Sequence, residues 1–286
     1  MKEFKDKVAV ITGAASGIGY GLVERCIKEG MKVVLADIDK RGLKKAEQEL
    51  KELYPEAEYM SVITDVSKPE EVEALAKTTF DTHGAVHLLF NNAGVTNVQF
   101  TWNYTIKDWQ WQLGVNLFGV IYGIRYFVPR MLEQDFESLI VNCASIEGLV
   151  FGEIAGGAIY GVSKHAIVSL SEALKTDLEI INKEVKVAVV CPGMVDTKII
   201  INNRNRPKEW KNAPNEVFRD KKVDESAEKL NKYLLQGKPP MKPTEAADII
   251  FQGIIDEKFY ILTDKGDVLK GLVKERFEGI LKAFNE

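Results

Sequence analysis

The chain has 286 residues, of which 45% are hydrophobic and 28% are charged, and this composition excludes a disordered, collagen-like or disulfide-scaffold protein. The 38 Lys and Arg residues nearly balance the 42 Asp and Glu residues, giving a net charge of -4 without a basic stripe, which disfavours nucleic-acid binding. Because no long uncharged apolar stretch occurs, no membrane span is expected.

The cysteines indicate a reducing environment. Cys26, Cys143 and Cys191 lie far apart in apolar surroundings. They form no Cys-x-x-Cys pair and have no histidine at metal-ligand spacing, so we expect free thiols and no metal site. The N-terminus carries charges and leads directly into a strand, which is unlike a signal peptide. The cytoplasm is therefore the expected location.

Short apolar runs rich in Val and Ile alternate along the chain with segments of helical periodicity. This alternation predicts an α/β fold, a single doubly wound Rossmann domain over residues 1–286, with helices on both faces of a seven-stranded parallel sheet. Helix starts are predicted by a capping box at 67–70 and by Pro243. The strands are expected at 8–12, 32–37, 59–64, 87–91, 139–142, 186–191 and 259–263.

A glycine-rich turn, Thr12-Gly13-Ala14-Ala15-Ser16-Gly17-Ile18-Gly19, follows the first strand and leads into a helix. Glycines let the backbone turn tightly and approach a pyrophosphate, whose charge the helix N-terminus stabilises. A tight turn without a ligand uses similar residues, but the position inside a β-α-β unit favours a bound dinucleotide. The candidate cofactor contacts in this turn are Gly13, Ser16, Gly17, Ile18 and Gly19.

The second predicted strand ends in Asp37. Its carboxylate can accept hydrogen bonds from both hydroxyls of an adenosine ribose and would repel a 2′-phosphate, so it favours NAD over NADP. Asp37 could instead only cap the next helix, and Lys40 and Arg41 lie close enough to compensate a phosphate. An S-adenosylmethionine methyltransferase, which also combines a glycine turn with an acidic residue, is the rival enzyme class at this point.

Tyr160 and Lys164 stand four residues apart, so they would share one helix face. Chance also produces such pairs, and this one gains meaning from its position. It begins the helix that follows the fifth strand, and the end of that strand carries Ser145. Because open parallel sheets bind ligands at the carboxyl ends of their strands, Ser145 and Tyr160 are expected at a ligand site.

With these motifs the sequence resembles the short-chain dehydrogenase/reductase family over about the first 200 residues and, more loosely, over the rest. The methyltransferase class does not account for the set, although the segment between Ser145 and Tyr160 is slightly longer than the family pattern. Within the family, the pattern is most similar to bacterial hydroxysteroid dehydrogenases. The matching motifs are 12–19, Asp65-Val66, Asn91-Asn92-Ala93-Gly94, Asn116, Ser145, Tyr160 with Lys164, and Pro192-Gly193 leading to Thr197.

The resemblance implies an oxidoreductase that transfers a hydride between NAD(H) and a secondary alcohol or ketone. Tyr160 would be the base and Ser145 would hold the substrate oxygen. Lys164 would bind the nicotinamide ribose, and Asn116 would support a water relay behind Lys164. Cofactor contacts are implied at Asp65, Val66, Asn92, Ala93, Gly94, Tyr160, Lys164, Pro192, Gly193, Val195 and Thr197.

Tyrosine needs help to act as a base, because its ordinary pKa is about 10. At roughly 6 Å and an effective dielectric constant near 20, the Lys164 ammonium would stabilise a Tyr160 phenolate by about 3 kcal/mol, close to two pKa units. We therefore expect Lys164 to lower the Tyr160 pKa. The alternative for Asn116 is an ordinary buried amide. No catalytic role is expected for His83, His87 and His165.

The long irregular segment at 196–243 begins where the family has its substrate lid. It starts polar and contains a predicted amphipathic helix at 225–235. A lid is our expectation, and a solvated insertion or an oligomer contact is the alternative. By resemblance, a homodimer or homotetramer would assemble through helices predicted at 106–132 and 163–181.

Apolar residues near Ser145 and in the insertion predict a pocket for a bulky apolar small molecule such as a hydroxysteroid. Sugars, polyols and aryl ketones are alternative substrates within the family. A catalytically silent dinucleotide-binding regulator is the alternative from another class. The expected substrate contacts are Ser145, Glu147, Phe151, Tyr160, Met194 and Trp210.

Overall fold

The computed structural model describes residues 1–150, 156–181, 184–200, 203–216 and 220–286. Its strands form one parallel sheet with β1 in the interior, and the predicted fold class is confirmed. Each strand boundary lies within one residue of its prediction. The strands are β1 (Val8–Thr12), β2 (Lys32–Asp37), β3 (Tyr59–Ile63), β4 (Leu88–Asn91), β5 (Ser138–Cys143), β6 (Val185–Cys191) and β7 (Tyr260–Leu262), in the order β3-β2-β1-β4-β5-β6-β7. The order reverses between β1 and β4, which opens a crevice at their carboxyl ends.

Helices cover both faces of this sheet because successive strand residues point to opposite sides. In β1, Ala9 and Ile11 pack toward one face, and Val10 between them packs toward the other. The first face is covered by α1, α2 and α8, and the second by α3, α5 and α6. The helices are α1 (Gly17–Lys28), α2 (Lys40–Leu53), α3 (Pro69–His83), α4 (Ile106–Leu113), α5 (Gly119–Leu132), α6 (Ala158–Ile181), α7 (Lys221–Leu235), α8 (Pro243–Ile255) and α9 (Asp267–Ala283).

The helix predicted at 106–132 is interrupted. A π-helical turn at Gly114–Phe118 separates α4 from α5, and Asn116 lies in this turn, fully buried. A π-turn adds a residue to one helical turn and so changes the direction of the side chains within it. Hydrophobic periodicity does not reveal such a turn, because the apolar faces on both sides remain helical.

The predicted capping box at 67–70 is wrong. Lys68 is the residue before α3, and the Ser67 hydroxyl donates to the Asp65 carboxylate at 2.6 Å instead of capping the helix. The Glu71 carboxylate accepts from the Asp65 N–H at 2.7 Å. The polar residues at the end of β3 therefore shape the loop rather than the helix start.

The insertion at 196–243 is closed at its base. Val195 and Met241 form an isolated parallel bridge, and the Asp196 N–H donates to the Met241 carbonyl at 2.8 Å. Between these ends lie short 3-10 turns and α7, which begins at Lys221, four residues before the predicted helix, because Asp220 caps it. None of the described helices is long and apolar enough to cross a membrane.

Candidate active site

The glycine-rich turn after β1 interlocks with the segment after β4. Gly13 has a φ of 67°, and a Cβ there would stand 2.9 Å from the Ala93 Cα. A Cβ at Gly19 would stand 2.1 Å from the Gly13 carbonyl oxygen. Since no larger residue fits either position without moving the backbone, these glycines allow two loops to meet at the crevice.

Thr12 joins the two loops. Its Oγ1 accepts the N–H groups of Asn92 at 3.0 Å and Ala93 at 3.1 Å, and donates to the Phe90 carbonyl at 3.2 Å. The Asn92 amide donates to the Thr12 carbonyl at 2.9 Å. Thr12 is a positioning residue that was not among the sequence candidates. A polar residue ending an otherwise apolar buried strand was the available signal.

The N-terminus of α1 fits an anionic ligand. Among the described residues, no acidic side chain lies in its first turn, and the Ser16 side chain does not cap the helix N–H groups. These N–H groups and the helix dipole favour a negative charge. A Cβ at Gly17 would stand 3.1 Å from the Thr197 Cγ2, so Thr197 lies beside this N-terminus. We call the space bordered by the glycine-rich turn, the N-terminus of α1 and Thr197 the cradle. Ile18 is half-buried within the first turn.

Asp37 ends β2 beside this cradle and is only 9% exposed. Its carboxylate accepts the N–H groups of Ala15 at 3.0 Å and Asp39 at 2.8 Å. Burial raises the pKa of Asp37, and these two hydrogen bonds act in the opposite direction. The residue that caps α2 is Asp39, which accepts the Gly42 N–H at 3.0 Å. The alternative that Asp37 only caps α2 is therefore wrong.

Two further sequence candidates lie at the carboxyl end of β3. Asp65 is buried and accepts the Ser67 N–H at 3.0 Å. Val66 is buried against α5, since a Cβ at Gly119 would stand 2.9 Å from the Val66 Cγ2. Both residues therefore lie at the carboxyl end of β3, on the β2 side of the crevice.

The catalytic candidates meet at the end of β5. Lys164 is 2% exposed and its ammonium donates to the Cys143 carbonyl at 2.8 Å. The ammonium lies 5.4 Å from the centre of the Tyr160 ring, and the Ser145 side chain is close enough to influence the pKa of the Tyr160 phenol. Gly94 lies beside them, because a Cβ there would stand 3.7 Å from the Lys164 Nζ. The structure thus brings Ser145, Tyr160 and Lys164 together, as predicted.

Burial is the largest influence on the pKa values of Tyr160 and Lys164. It raises the pKa of Tyr160, while the neighbouring Ser145 side chain acts to lower it. Burial also lowers the pKa of Lys164. In the protein alone the pKa of Tyr160 is therefore raised, not lowered as expected, because desolvation of the phenolate is the largest contribution.

Asn116 joins the segment after β4 to the start of α6. Its Oδ1 accepts the Val95 N–H at 2.8 Å, and its Nδ2 donates to the Val95 carbonyl at 3.0 Å and to the Ser163 Oγ at 3.1 Å. Ser163 in turn donates to the Tyr160 carbonyl at 2.7 Å. Ser163 was missed in the sequence, although a polar residue between Tyr160 and Lys164 on a buried helix face was a usable signal.

The chain after β6 passes between two strand ends. The Pro192 carbonyl accepts the Ile146 N–H at 2.9 Å. The Gly193 N–H donates to the Thr263 hydroxyl at 3.1 Å. The Met194 carbonyl accepts the Met241 N–H at 3.0 Å, at the base of the insertion. Pro192 and Gly193 are thereby fixed next to the exit of β5, which carries Ser145.

The substrate candidates are only partly brought together. Glu147 is buried, and its N–H donates to the Ser145 Oγ at 3.2 Å. Trp210 is half-buried on a 3-10 turn that packs on α4. Phe151 lies outside the described residues. Ile146 and Val150 form a buried cluster with Leu269 and Leu272 of α9, so the C-terminal helix covers the loop after Ser145.

The three cysteines are free thiols, with Cys26 and Cys191 buried. Across the described ranges, no three His, Cys, Asp or Glu side chains come together as a metal site. The side chains that could act chemically at the end of β5 are Ser145, Tyr160 and Lys164, beside the N-terminus of α1.

A family model described as short chain dehydrogenase matches residues 7–208. The chain therefore belongs to the short-chain dehydrogenase family, which confirms the family predicted from the motifs. The family model covers every strand except β7, as well as the start of the insertion.

Individual relatives resemble the chain over nearly its whole length. A CLA biosynthesis dehydrogenase/reductase of Lactiplantibacillus plantarum is 34% identical over 263 residues, covering 92% of this chain and 90% of the relative. A 1-deoxy-11-beta-hydroxypentalenate dehydrogenase of Streptomyces avermitilis is 31% identical, covering 94% of this chain and 92% of the relative. The crystal structure of a Burkholderia phymatum short-chain dehydrogenase/reductase in complex with NAD is similar with a TM-score of 0.89 and 40% identity, covering 99% and 97% of the two chains.

Proposed function

We propose that this chain is an NAD-dependent dehydrogenase that oxidises a secondary alcohol or reduces the corresponding ketone. The observation that supports this most directly is the buried Lys164 ammonium, held by the Cys143 carbonyl at 2.8 Å and 5.4 Å from the centre of the Tyr160 ring. These groups lie at the edge of a cradle suited to a dinucleotide. When bound, NAD supplies the nicotinamide that accepts or donates the hydride.

The chain's own residues manage the proton. Tyr160 takes it from the alcohol in oxidation and returns it to the ketone oxygen in reduction. Ser145 donates a hydrogen bond to the substrate oxygen, where negative charge develops. Lys164, held by the Cys143 carbonyl, keeps a positive charge near the phenol. Asn116 and Ser163 fix the helix that carries Tyr160.

The experiment for this proposal is a spectrophotometric screen for NADH formation with panels of steroids, polyols, hydroxy acids and short-chain alcohols. Formation of NADH with at least one secondary alcohol is the expected result. If the purified protein binds NADH but turns over no alcohol or ketone in either direction, the enzymatic proposal is wrong.

The preference for NAD is proposed from Asp37, and the NAD complex of the Burkholderia phymatum relative supports it. Because a 2′-phosphate would meet the buried Asp37 carboxylate, kcat/KM is expected to be higher with NAD than with NADP. Asp37→Ala should reduce that ratio at least about tenfold, since like charges in contact cost several kcal/mol. The exposed Asp135, at the opposite end of the sheet, provides the control variant Asp135→Ala. A preference of the unmodified protein for NADP would contradict this role of Asp37.

The substrate is proposed to be a bulky apolar secondary alcohol, such as a hydroxysteroid. The hydroxypentalenate dehydrogenases among the relatives are named for a hydroxyl-bearing substrate, which supports an alcohol as the substrate class. Glu147, Met194 and Trp210 are proposed to contact the substrate together with Ser145 and Tyr160, beneath a lid formed by 196–243.

Trp210→Ala tests the apolar pocket. Loss of about 100 Å² of buried apolar contact is worth roughly 2.5 kcal/mol, so turnover of a bulky apolar substrate should fall tens-fold, and turnover of a short-chain alcohol much less. NADH affinity should stay the same. The control is Trp102→Ala, since Trp102 is 78% exposed. An equal loss on all substrates together with an altered oligomeric state would assign Trp210 to a subunit contact instead.

We also propose a homodimer or homotetramer in the cytoplasm. Ile106 on α4, Phe118 in the π-turn and Val162, Ile180 and Ile181 on α6 are exposed apolar residues, as an interface through these helices requires. The free cysteines suit a reducing compartment. Size-exclusion chromatography with light scattering would return a monomer mass if the oligomer proposal is wrong.

A further inference from the structure

A polar turn of the insertion holds two arginines, Arg204 and Arg206, at different places. Asn203 and Asn205 on either side of Arg204 have left-handed backbone angles, with φ of 60° and 59°. Asn tolerates this conformation better than most residues. The Arg206 N–H donates to the Asn203 carbonyl at 3.1 Å and closes the turn.

Arg206 anchors the turn on α4. Its guanidinium pairs with Asp108 at 2.6 Å, and both side chains are 2% exposed. It also donates to the Asn203 Oδ1 at 2.9 Å and lies over the Trp111 ring, 4.9 Å from its centre. A buried and stacked arginine of this kind has a fixed position. The turn that carries Arg204 is therefore fixed to α4 through Arg206.

Arg204 extends from this turn to the cofactor cradle. Its Nη1 donates to the Ser16 Oγ at 3.2 Å, and its Nη2 pairs with Asp39 at 3.4 Å. Ser16 precedes α1, and Asp39 caps α2 two residues beyond Asp37. A group joining Ser16 to Asp39 therefore spans the end of the cradle where Asp37 would receive the adenosine ribose.

The charge of Arg204 already acts on this end of the cradle. Burial raises the pKa of Asp37, and Arg204 is among the groups that act to lower it. A guanidinium carries five N–H donors, and its contacts with Ser16 and Asp39 use one from each terminal nitrogen. Further donors remain for a hydroxyl or a phosphate of a ligand at this position.

We propose that Arg204, although it belongs to the insertion, binds the adenosine ribose of the dinucleotide. Arg204 would favour the 2′-phosphate that distinguishes NADP from NAD, whereas Asp37 disfavours it. This inference rests on the dinucleotide binding proposed above. Asp37 disfavours a 2′-phosphate, and Arg204 attracts one. The insertion is then part of the cofactor site as well as the substrate site.

The test measures the Kd of NADH and of NADPH by nucleotide fluorescence, without any alcohol substrate. Arg204→Ala is expected to raise the NADH Kd about fivefold and the NADPH Kd about fiftyfold, because only NADPH loses a charge-assisted contact to phosphate. Arg204→Lys keeps the charge and should retain most of the NADPH affinity. In an Asp37→Ser background, which should bind NADPH more tightly, adding Arg204→Ala should remove that gain.

Lys208→Ala is the matched control, because it removes one exposed positive charge from the same insertion. It should leave both Kd values unchanged. Unchanged Kd values for Arg204→Ala would overturn the binding role, and equal changes for NADH and NADPH would overturn the specificity role. Failure to find an alcohol substrate affects only the proposed reaction, whereas failure of the unmodified protein to bind either nucleotide would overturn both proposals.

Discussion

Replacing Tyr160 by phenylalanine is expected to lower kcat at least about 100-fold, the usual range for loss of a general acid or base. Phenylalanine keeps the ring beside Lys164 and removes only the oxygen that moves the proton. NADH affinity should therefore be largely retained. The measurement combines steady-state turnover with a fluorescence titration of NADH.

The pH dependence separates this role from a structural one. Oxidation needs the deprotonated phenol, and burial raises the pKa of Tyr160, so the rate of oxidation should still increase with pH above neutrality. The residual activity of Tyr160→Phe should lack this rise. Tyr233→Phe is the control, since Tyr233 is exposed on α7. Near-normal turnover of Tyr160→Phe would remove Tyr160 from the reaction.

Breaking the ion pair between Asp108 and Arg206 is expected to lower the free energy of unfolding by about 3–5 kcal/mol, because one partner is left charged in a buried site. Asp108→Asn and Arg206→Met each test this by denaturant unfolding. The double variant should lose less than the sum of the two single losses. Glu49→Gln in the exposed pair of Lys45 with Glu49 should cost at most about 0.5 kcal/mol.

This ion pair also predicts an acid dependence. Burial acts to raise the pKa of Asp108, but hydrogen bonds from Thr105, Arg206 and Asn212 outweigh it, and the pKa is lowered. A lowered carboxyl pKa contributes stability above the ordinary value of about 4, and that stability is lost as pH falls through the folded value. Arg206→Met should therefore flatten the loss of stability in acid. A loss below about 1 kcal/mol at neutral pH for both single variants would contradict the importance of the pair.

The sheet could be predicted from sequence because its signals are local. The run at 8–12 and the turn that follows it specify a buried strand and a tight connection within a few residues. The meeting of Ser145 with Tyr160 also followed, since both leave the carboxyl end of β5. The direction in which the Asn116 side chain points could not be predicted, because the π-turn leaves the apolar pattern of α4 and α5 unchanged.

Contacts between distant segments were beyond the reach of sequence patterns. In the sequence, Arg204 and Arg206 belong to one polar segment. In the structure, Arg204 contacts Ser16 and Arg206 contacts Asp108. Their separation depends on two left-handed asparagines and on where α4 lies, neither of which is encoded in a local period. Likewise, the packing of Ile146 against α9 needs the C-terminal helix in place.

The bridge between Val195 and Met241 makes the insertion a loop whose two ends are already joined. For such a loop the entropy of closure grows only with the logarithm of its length, about 0.6 kcal/mol for each doubling. Residues can therefore be added to or removed from the segment between these ends at little cost to the sheet. The fold thereby separates two physical constraints: close packing restricts what the strands can be, while the segment between Val195 and Met241 can change in length at a small cost in free energy.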